Sequence, residues 1–588
     1  MHGLNPFRVL TPEPQQKPQR EGIVSRGFRH LFGTPVLAQL FSADGLMEAP
    51  SADAELQGLM RRLTARMMRG HNRVWSDPLA PGTAGVAPRE AWENPDIPSG
   101  YTYLLQLIAH DLVASSVSLA LDRGVAEVEN TRTRPLALDT IYGGGPDVCP
   151  HPYEFSAEHR DQRGLVPRTR LRVGPPYRPN GHAGHCPFRD IGRATATDAV
   201  DAGRDTEARK GWRTEALLAD ARNDSHALLS QITVLFHVLH NELMERLEKR
   251  APVQPAWLGT EVAYRRFLAA RIVATMVYRN IVEKDVLKRI LHPQVYDRYL
   301  TNPAFPLDPE RGIPKEFSHG AFRFAHAMVR DEYRVNSPEP QPMTRALNQS
   351  TTRSPGSVPV RPEWLVDWSL FFQIGPSSPN LSRRIGPDYP SVLQNEGMFP
   401  PFAKGDAAGI AFRDYLSSCF ANLRKVPEFW HEFGHLLPPF DVWKEPLRQW
   451  LEETPGSELS ERFQPGDVDR LVNDPPLPFF VQFEAAHTFD RAGKPTRVDG
   501  GRHLGQLGSL IVGETIFGAM RRHPLGFEEG NPTLRGRIGA CCTALLEDTD
   551  AFADVKAGPP RSPARDIETM SDLILFLHAS DAFPQGPA

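Results

Sequence analysis

Cysteine is scarce in this chain: Cys149, Cys186, Cys419, Cys541 and Cys542 are the only 5 in 588 residues, and none falls in a CxxC spacing. An odd, scattered set excludes a disulfide scaffold and reads as the reduced thiols of a cytosolic protein. An excess of one charge is missing too, since 67 Lys and Arg stand against 71 Asp and Glu for a net charge of −4. A chain so balanced is not built to coat a polyanion or an anionic membrane surface, and nucleic-acid binding is not expected. No window reaches the run of about 18 apolar residues that a membrane-spanning helix needs, and the opening MHGLNPFRVL holds no apolar signal core. The expectation is a cytoplasmic protein, with export by a route lacking a classical signal left open. Internal repeats, a GxGxxG opening a helix, a P-loop and a GxSxG elbow are all absent, which removes the nucleotide-binding and serine-hydrolase readings.

What the chain has in quantity is helical spacing. Strand-like alternation is scarce, whereas apolar residues recur at three- and four-residue steps in residues 98–120, 221–250, 261–291, 316–336 and 504–524. The fold class expected is mainly α. Residues 1–50, with their Pro and Gln, read as an arm laid on the surface, and residues 51–588 as one large domain. Within it, residues 175–215 are rich in Gly, Arg, Asp and Thr and poor in large apolar groups, as a solvated loop or insertion would be. The HAGHC tract there, with His182, His185 and Cys186, invites a zinc reading but lacks an obvious fourth ligand.

The chain is organised around residues 98–120, PSGYTYLLQLIAHDLVASSVSLA, an apolar helix with Ser99 and Gly100 placed to cap its start. Gln106 and His110, four apart, project from one face, and Asp111 points about 100° away. Two readings stand. His110 is a core histidine bonded to a carbonyl, with Asp111 a satisfied neighbour; or the Gln/His pair faces a small polar ligand while Asp111 faces a cation. The loop from Thr131 to Pro146, with Thr133 and Asp139 on a sharply bent backbone, is either an ordinary turn or the rest of an oxygen shell for such a cation.

In ARNDSHALLSQITVLFHVLHNEL, Asp224 or Ser225 is the expected cap, which sets Arg222 just before a helix start. It lies on the surface or, turned inward, supplies a fixed positive charge for a bound anion or peroxide. His237 and His240 on the same helix read as packing or hydrogen-bonding residues. In EFSHGAFRFAHAMVR, Phe322, Ala325, His326 and Val329 share a helical face flanked by Arg323 and Arg330. A lone histidine there is usually structural; the functional alternative is an axial ligand to haem iron, with an arginine one turn away on a propionate.

Five segments in one order decide among these. NPDIPSGYTYLLQLIAHDL, LALDTIYGGGP, ADARNDSHALLSQITVLFHVLHNEL, EFSHGAFRFAHAMVR and LGQLGSLIVGETIFGAM are spread in this order across most of residues 90–525. They resemble the animal-type haem peroxidases, in particular bacterial members related to peroxinectin and myeloperoxidase. The resemblance implies a helical fold with haem between a distal and a proximal helix, and a reaction in which hydrogen peroxide is reduced and a small organic reductant oxidised in one-electron steps. It implies His110 as distal base beside Gln106, Arg222 as distal arginine, and His326 as the proximal iron ligand. Arg323 matches the family's propionate-binding arginine, and AFRDYL offers Asp414 as the partner of the other His326 ring nitrogen.

The departures from the family pattern carry their own expectations. Relatives with ester-linked haem have an aspartate before the distal histidine and a glutamate three residues after the distal arginine; here those residues are Ala109 and Ser225. Haem b is therefore expected to be held without covalent bonds, and easily oxidised phenolic or amine donors are favoured over halides. Asp111, Thr133, the Pro135 carbonyl and Asp139 match the family's calcium ligands, but Ala137 replaces an expected aspartate, so any calcium site is a weak one. Two rival functions remain. Fatty-acid oxygenation, as in related dioxygenases, uses a radical-forming tyrosine where this chain has Arg323; a haem-binding or degenerate scaffold is suggested by the lost carboxylates. The oligomeric state is not legible in the sequence.

Overall fold

The computed structural model describes residues 28–32, 50–70, 92–115, 129–132, 134–155, 167–177, 185–195, 213–250, 259–308, 312–402, 405–452, 462–496, 500–522, 542, 545 and 567–580. The fold is mainly α. Helix α1 (Pro50–Gly70) is followed by strand β1 (Glu93–Pro98) and the central helix α2 (Gly100–Leu112), then by the long helices α3 (Ala227–Arg250) and α4 (Gly259–Ile281). Among the described residues the strands form two-stranded antiparallel pairs only, β1 reaching across to residues Leu381–Arg383.

Helix α2 starts where its sequence allows a close approach. A Cβ on Gly100 would sit 2.5 Å from the Phe372 ring, so glycine lets the helix end press on that ring. Ser99 occupies the cap position but its hydroxyl makes no capping bond. Instead, the Ser99 and Gly100 amides donate to the carbonyls of Asn380 and Phe371, which satisfies the exposed end of the helix from another part of the chain. Every residue of α2 is buried except Gln106, Ala109 and His110, which lie on one face at i, i+3 and i+4. The helix packs against α3 and against residues 316–328, and α3 packs against α4.

The segment expected to be one helix around His326 changes character at Gly320. Glu316–Gly320 is a single π turn and Ala321–Met328 a 3₁₀ helix. Three residues per turn bring Arg323 and His326 onto one edge, in place of the Phe322/Ala325/His326 face of an α-helix. Helix α5 (Ile410–Phe420), helix α6 (Leu477–Ala486) and helix α7 (Gln506–Arg522) close round this segment.

Two expectations about loops need correction. The described parts of residues 175–215 are not a solvated insertion: Cys186, Phe188, Asp190, Ile191 and Arg193 are buried, and Arg193–Thr195 pairs with Arg213–Ala216. Arg193 is the reason, since its guanidinium bonds both Asp190 and Asp224 and is buried with them. That pairing also removes Asp224 from the capping role; Asp220 caps the short 3₁₀ turn Ala221–Asp224 instead. From the N-terminal arm, residues 28–32 lie against the start of the 316–328 segment, where His30 Nδ1 meets Glu316 Oε1 at 2.7 Å and the Leu31 amide donates to Glu316 Oε2.

Glu484 on α6 accepts from the amides of Leu507 and Gly508 at the start of α7, and burial pushes its carboxyl up to about 7. A folded-state value above the ordinary 4.5 gives stability that is complete below pH 4.5 and lost as pH rises through about 7. Thermal unfolding followed between pH 4 and 8 should therefore show Glu484→Gln losing less stability with rising pH than the parent. Parallel pH profiles would show that Glu484 does not carry this dependence.

Candidate haem site

Helix α2 and the turn before α3 build one half of the site. His110 Nδ1 lies 2.9 Å from Asn223 Oδ1, whose amide nitrogen reaches the Thr140 carbonyl at 3.5 Å. The Asn223 oxygen fixes the His110 proton on Nδ1, and Nε2, with no partner among the described residues, keeps its lone pair. Burial and the nearby Arg222 charge push His110 down to about 4, so the imidazole is neutral at ordinary pH. Beside it, Gln106 donates to Ser225 Oγ at 3.3 Å and accepts from His226 Nε2 at 2.9 Å. His226 Nδ1 in turn accepts from the Leu229 amide, which fixes its tautomer.

Arg222 sits at this end of the site but is not a free inward charge. Its guanidinium holds Asp220 and donates to the His110 and Val113 carbonyls, and its side chain is 40% exposed. Arg132 bonds the same Asp220 and the same His110 carbonyl. Two guanidiniums and one carboxylate thus close the C-terminal end of α2, with the cations where the helix dipole favours them.

The other half is the 3₁₀ segment and α5. His326 Nδ1 lies 2.5 Å from Asp414 Oδ2, and Arg323 donates to Asp414 Oδ1 at 3.2 Å and to the Ser318 carbonyl at 3.0 Å. Asp414 is 5% exposed while His326 keeps 33% of its side chain open, with Nε2 unpartnered among the described residues. A carboxylate on one ring nitrogen and an open lone pair on the other is the donor arrangement of an axial histidine. Arg323 faces the carboxylate first and retains one guanidinium nitrogen without a bond for an anionic group.

The calcium positions are arranged otherwise than expected. Asp111 is fully buried and both its oxygens accept backbone amides, from Leu138 at 3.0 Å and Thr140 at 3.2 Å. Asp139 is held by Arg134 and Arg271, and the Pro135 and Leu136 carbonyls accept from Arg279. Thr133 lies outside the described residues. No cluster of three or more His, Cys, Asp or Glu fit to hold a metal ion occurs among the described residues. In HAGHC, the His185 ring lies 4.9 Å from that of His578 and Cys186 is buried, while His182 is outside the described residues.

Sequence reasoning missed Asn223, His226 and Asp220. The signal was present, since all three flank Arg222 in DARNDSH, but their roles depend on how the turn folds back on α2. His237 and His240 do as expected, bonding the Arg172 and Thr169 carbonyls from a buried helix.

His326, tied to Asp414 and open at Nε2, has the chemistry of a residue that could hold a haem iron, and His110, neutral and open at Nε2, that of a proton acceptor. The sequence model of the animal haem peroxidase family matches residues 163–360, a stretch of about a third of the chain. Arg222, Arg323 and His326 lie inside it, whereas Gln106, His110 and Asp414 lie outside. No curated protein matches the chain. Among solved structures, peroxidase A from Dictyostelium discoideum is similar at 14% identity and a TM-score of 0.45, over 76% of this chain and 83% of that one. The fatty acid alpha-dioxygenase of Oryza sativa is similar at 13% identity and 0.47, over 89% and 82% of the two chains. That of Arabidopsis thaliana is similar at 12% and 0.46, over 84% and 73%. No helix among the described residues is long and apolar enough to cross a membrane.

Proposed function

We propose that this protein is a peroxidase that binds haem b without a covalent link, reduces hydrogen peroxide and oxidises small organic donors. The observation that carries the reading is the open Gln106/Ala109/His110 face on an otherwise buried helix. His326 would hold the iron through Nε2, Asp414 would orient and polarise its ring, and Arg323 would meet a propionate with its remaining nitrogen. When bound, haem supplies the electrons that break the peroxide O–O bond. His110 Nε2 takes the proton from the nearer peroxide oxygen and returns it to the departing one. Gln106, braced by Ser225 and His226, holds the peroxide by hydrogen bonding. Arg222 and Arg132 leave one net positive charge beside Asp220 at the rim, favouring the developing anion from there rather than by direct contact.

The experiment is the absorption spectrum of the protein purified with haem, before and after one equivalent of hydrogen peroxide. A Soret band that shifts within milliseconds supports the reading; a band that only bleaches supports a haem-binding scaffold, and no band removes the haem reading. Fatty-acid oxygenation is disfavoured by Arg323, which is bound to Asp414 where those enzymes place a tyrosine. Because Ala109 and Ser225 offer no carboxylate for an ester, acidified acetone should strip the haem fully. Haem retained on a peptide would overturn the non-covalent assignment.

A further inference from the structure

A metal ion in the loop beside α2 would need about six to eight oxygen ligands with free lone pairs. The described loop instead presents donors to its carboxylates. Leu136 and Leu138 both have left-handed backbones, φ 57° and 54°, a conformation that costs a branched residue on the order of 1 kcal/mol or more. The bend it produces turns the Leu138 and Thr140 amides, not carbonyls, towards Asp111. Carbonyls do face outward at Pro135 and Leu136, but Arg279 lies on them, its Nε 2.9 Å from the Leu136 oxygen. Asp139 takes Arg134 at 2.7 Å and Arg271 at 3.1 Å. Arg271 also stacks over the Tyr142 ring, 4.9 Å from its centre, so one side chain holds two points of the loop.

We propose that Arg271 and Arg279, both on α4, together with Arg134, form a chain-borne cation clamp that does the work of a metal: it ties residues 134–142 to α4, leaves the Leu138 and Thr140 amides on Asp111 of α2, and excludes calcium. Two carboxylates and two carbonyls that could surround a dication are each paired with a donor, and three guanidiniums would repel an arriving ion. Arg271 and Arg279 stand eight residues apart, about 12 Å along the α4 axis, and so brace the loop at two separated points. Asp111 precedes the end of α2 directly after His110, so the clamp fixes the rotation of the helix that presents the open face. The inference does not depend on the peroxidase reading, because it concerns the polypeptide without its cofactor chemistry.

Calorimetry of the full chain tests it without any activity assay. Neither EDTA nor millimolar calcium should move the unfolding temperature by more than about 1 °C, and titration calorimetry should show no calcium uptake. In R271Q/R279Q the unfolding temperature should fall by several degrees, and added calcium should restore part of that loss through the uncovered oxygens. Calcium bound by the parent protein, or an unfolding temperature that falls on chelation, would overturn the proposal whether or not the double variant folds. A double variant as stable as the parent would overturn it as well.

Discussion

His110→Ala should slow the reaction of the haem-loaded protein with hydrogen peroxide by about 10²–10⁴-fold while leaving haem content and the resting Soret band unchanged. The size follows from the task of a general base: without it, the proton must move through water as the O–O bond breaks. Nothing else in the described pocket can substitute. His226 has its Nε2 on Gln106 and its Nδ1 accepting from the Leu229 amide, so neither nitrogen is open to peroxide. Asn223→Leu should give a smaller loss in the same direction, because it removes the acceptor that fixes the His110 proton on Nδ1 without removing the ring. Stopped-flow spectra at a series of peroxide concentrations give both rates directly. Parent-like rates in His110→Ala would remove His110 from the mechanism.

Asp414→Ala should weaken haem retention about 10–100-fold, the usual effect of removing the carboxylate behind a metal-bound histidine. Here the loss has two sources. His326 loses the 2.5 Å partner that sets its ring plane, and Arg323 is left beside His326 with its charge uncompensated. Asp414→Asn keeps an acceptor oxygen and should lie between parent and alanine variant. Transfer of haem to excess apomyoglobin measures retention, and the ferrous spectrum reports the strength of the axial bond. Retention and spectrum both unchanged in Asp414→Ala would mean that His326 is not the iron ligand.

The long helices were legible because burial imposes a period: apolar residues at three- and four-residue steps marked 221–250, 261–291 and 504–524, the stretches that hold α3, α4 and α7. Gln106, His110 and His326 were legible for a different reason, as polar groups interrupting such faces, although the resemblance was needed to choose between their alternatives. What was not legible depends on non-local pairing. Nothing near Arg222 says that Asp220 takes its guanidinium, and nothing near Asp224 says that Arg193 reaches it across a loop of low apolar content. Asp111 and Asp139 stand where the family pattern puts calcium ligands, but what bonds them is set by the fold: Asp111 takes the Leu138 and Thr140 amides, and Asp139 takes Arg271, 132 positions downstream. The 3₁₀ form of residues 321–328 likewise follows from the break at Gly320 and its packing on Leu477, not from local propensity.

The two histidines are completed over different lengths of chain. His110 finds Asn223 113 positions on, whereas the His326–Asp414 pair adjoins a segment whose entrance is latched by His30 and Glu316, 286 positions apart. A chain made from its N-terminus can therefore close the first half of the site well before the second, which waits for Asp414 to emerge. The half that would grip iron is then the last to mature, although its own contact, 88 positions long, is the shorter of the two in sequence. Cofactor added early in refolding would meet a pocket with its base in place and its anchor still missing.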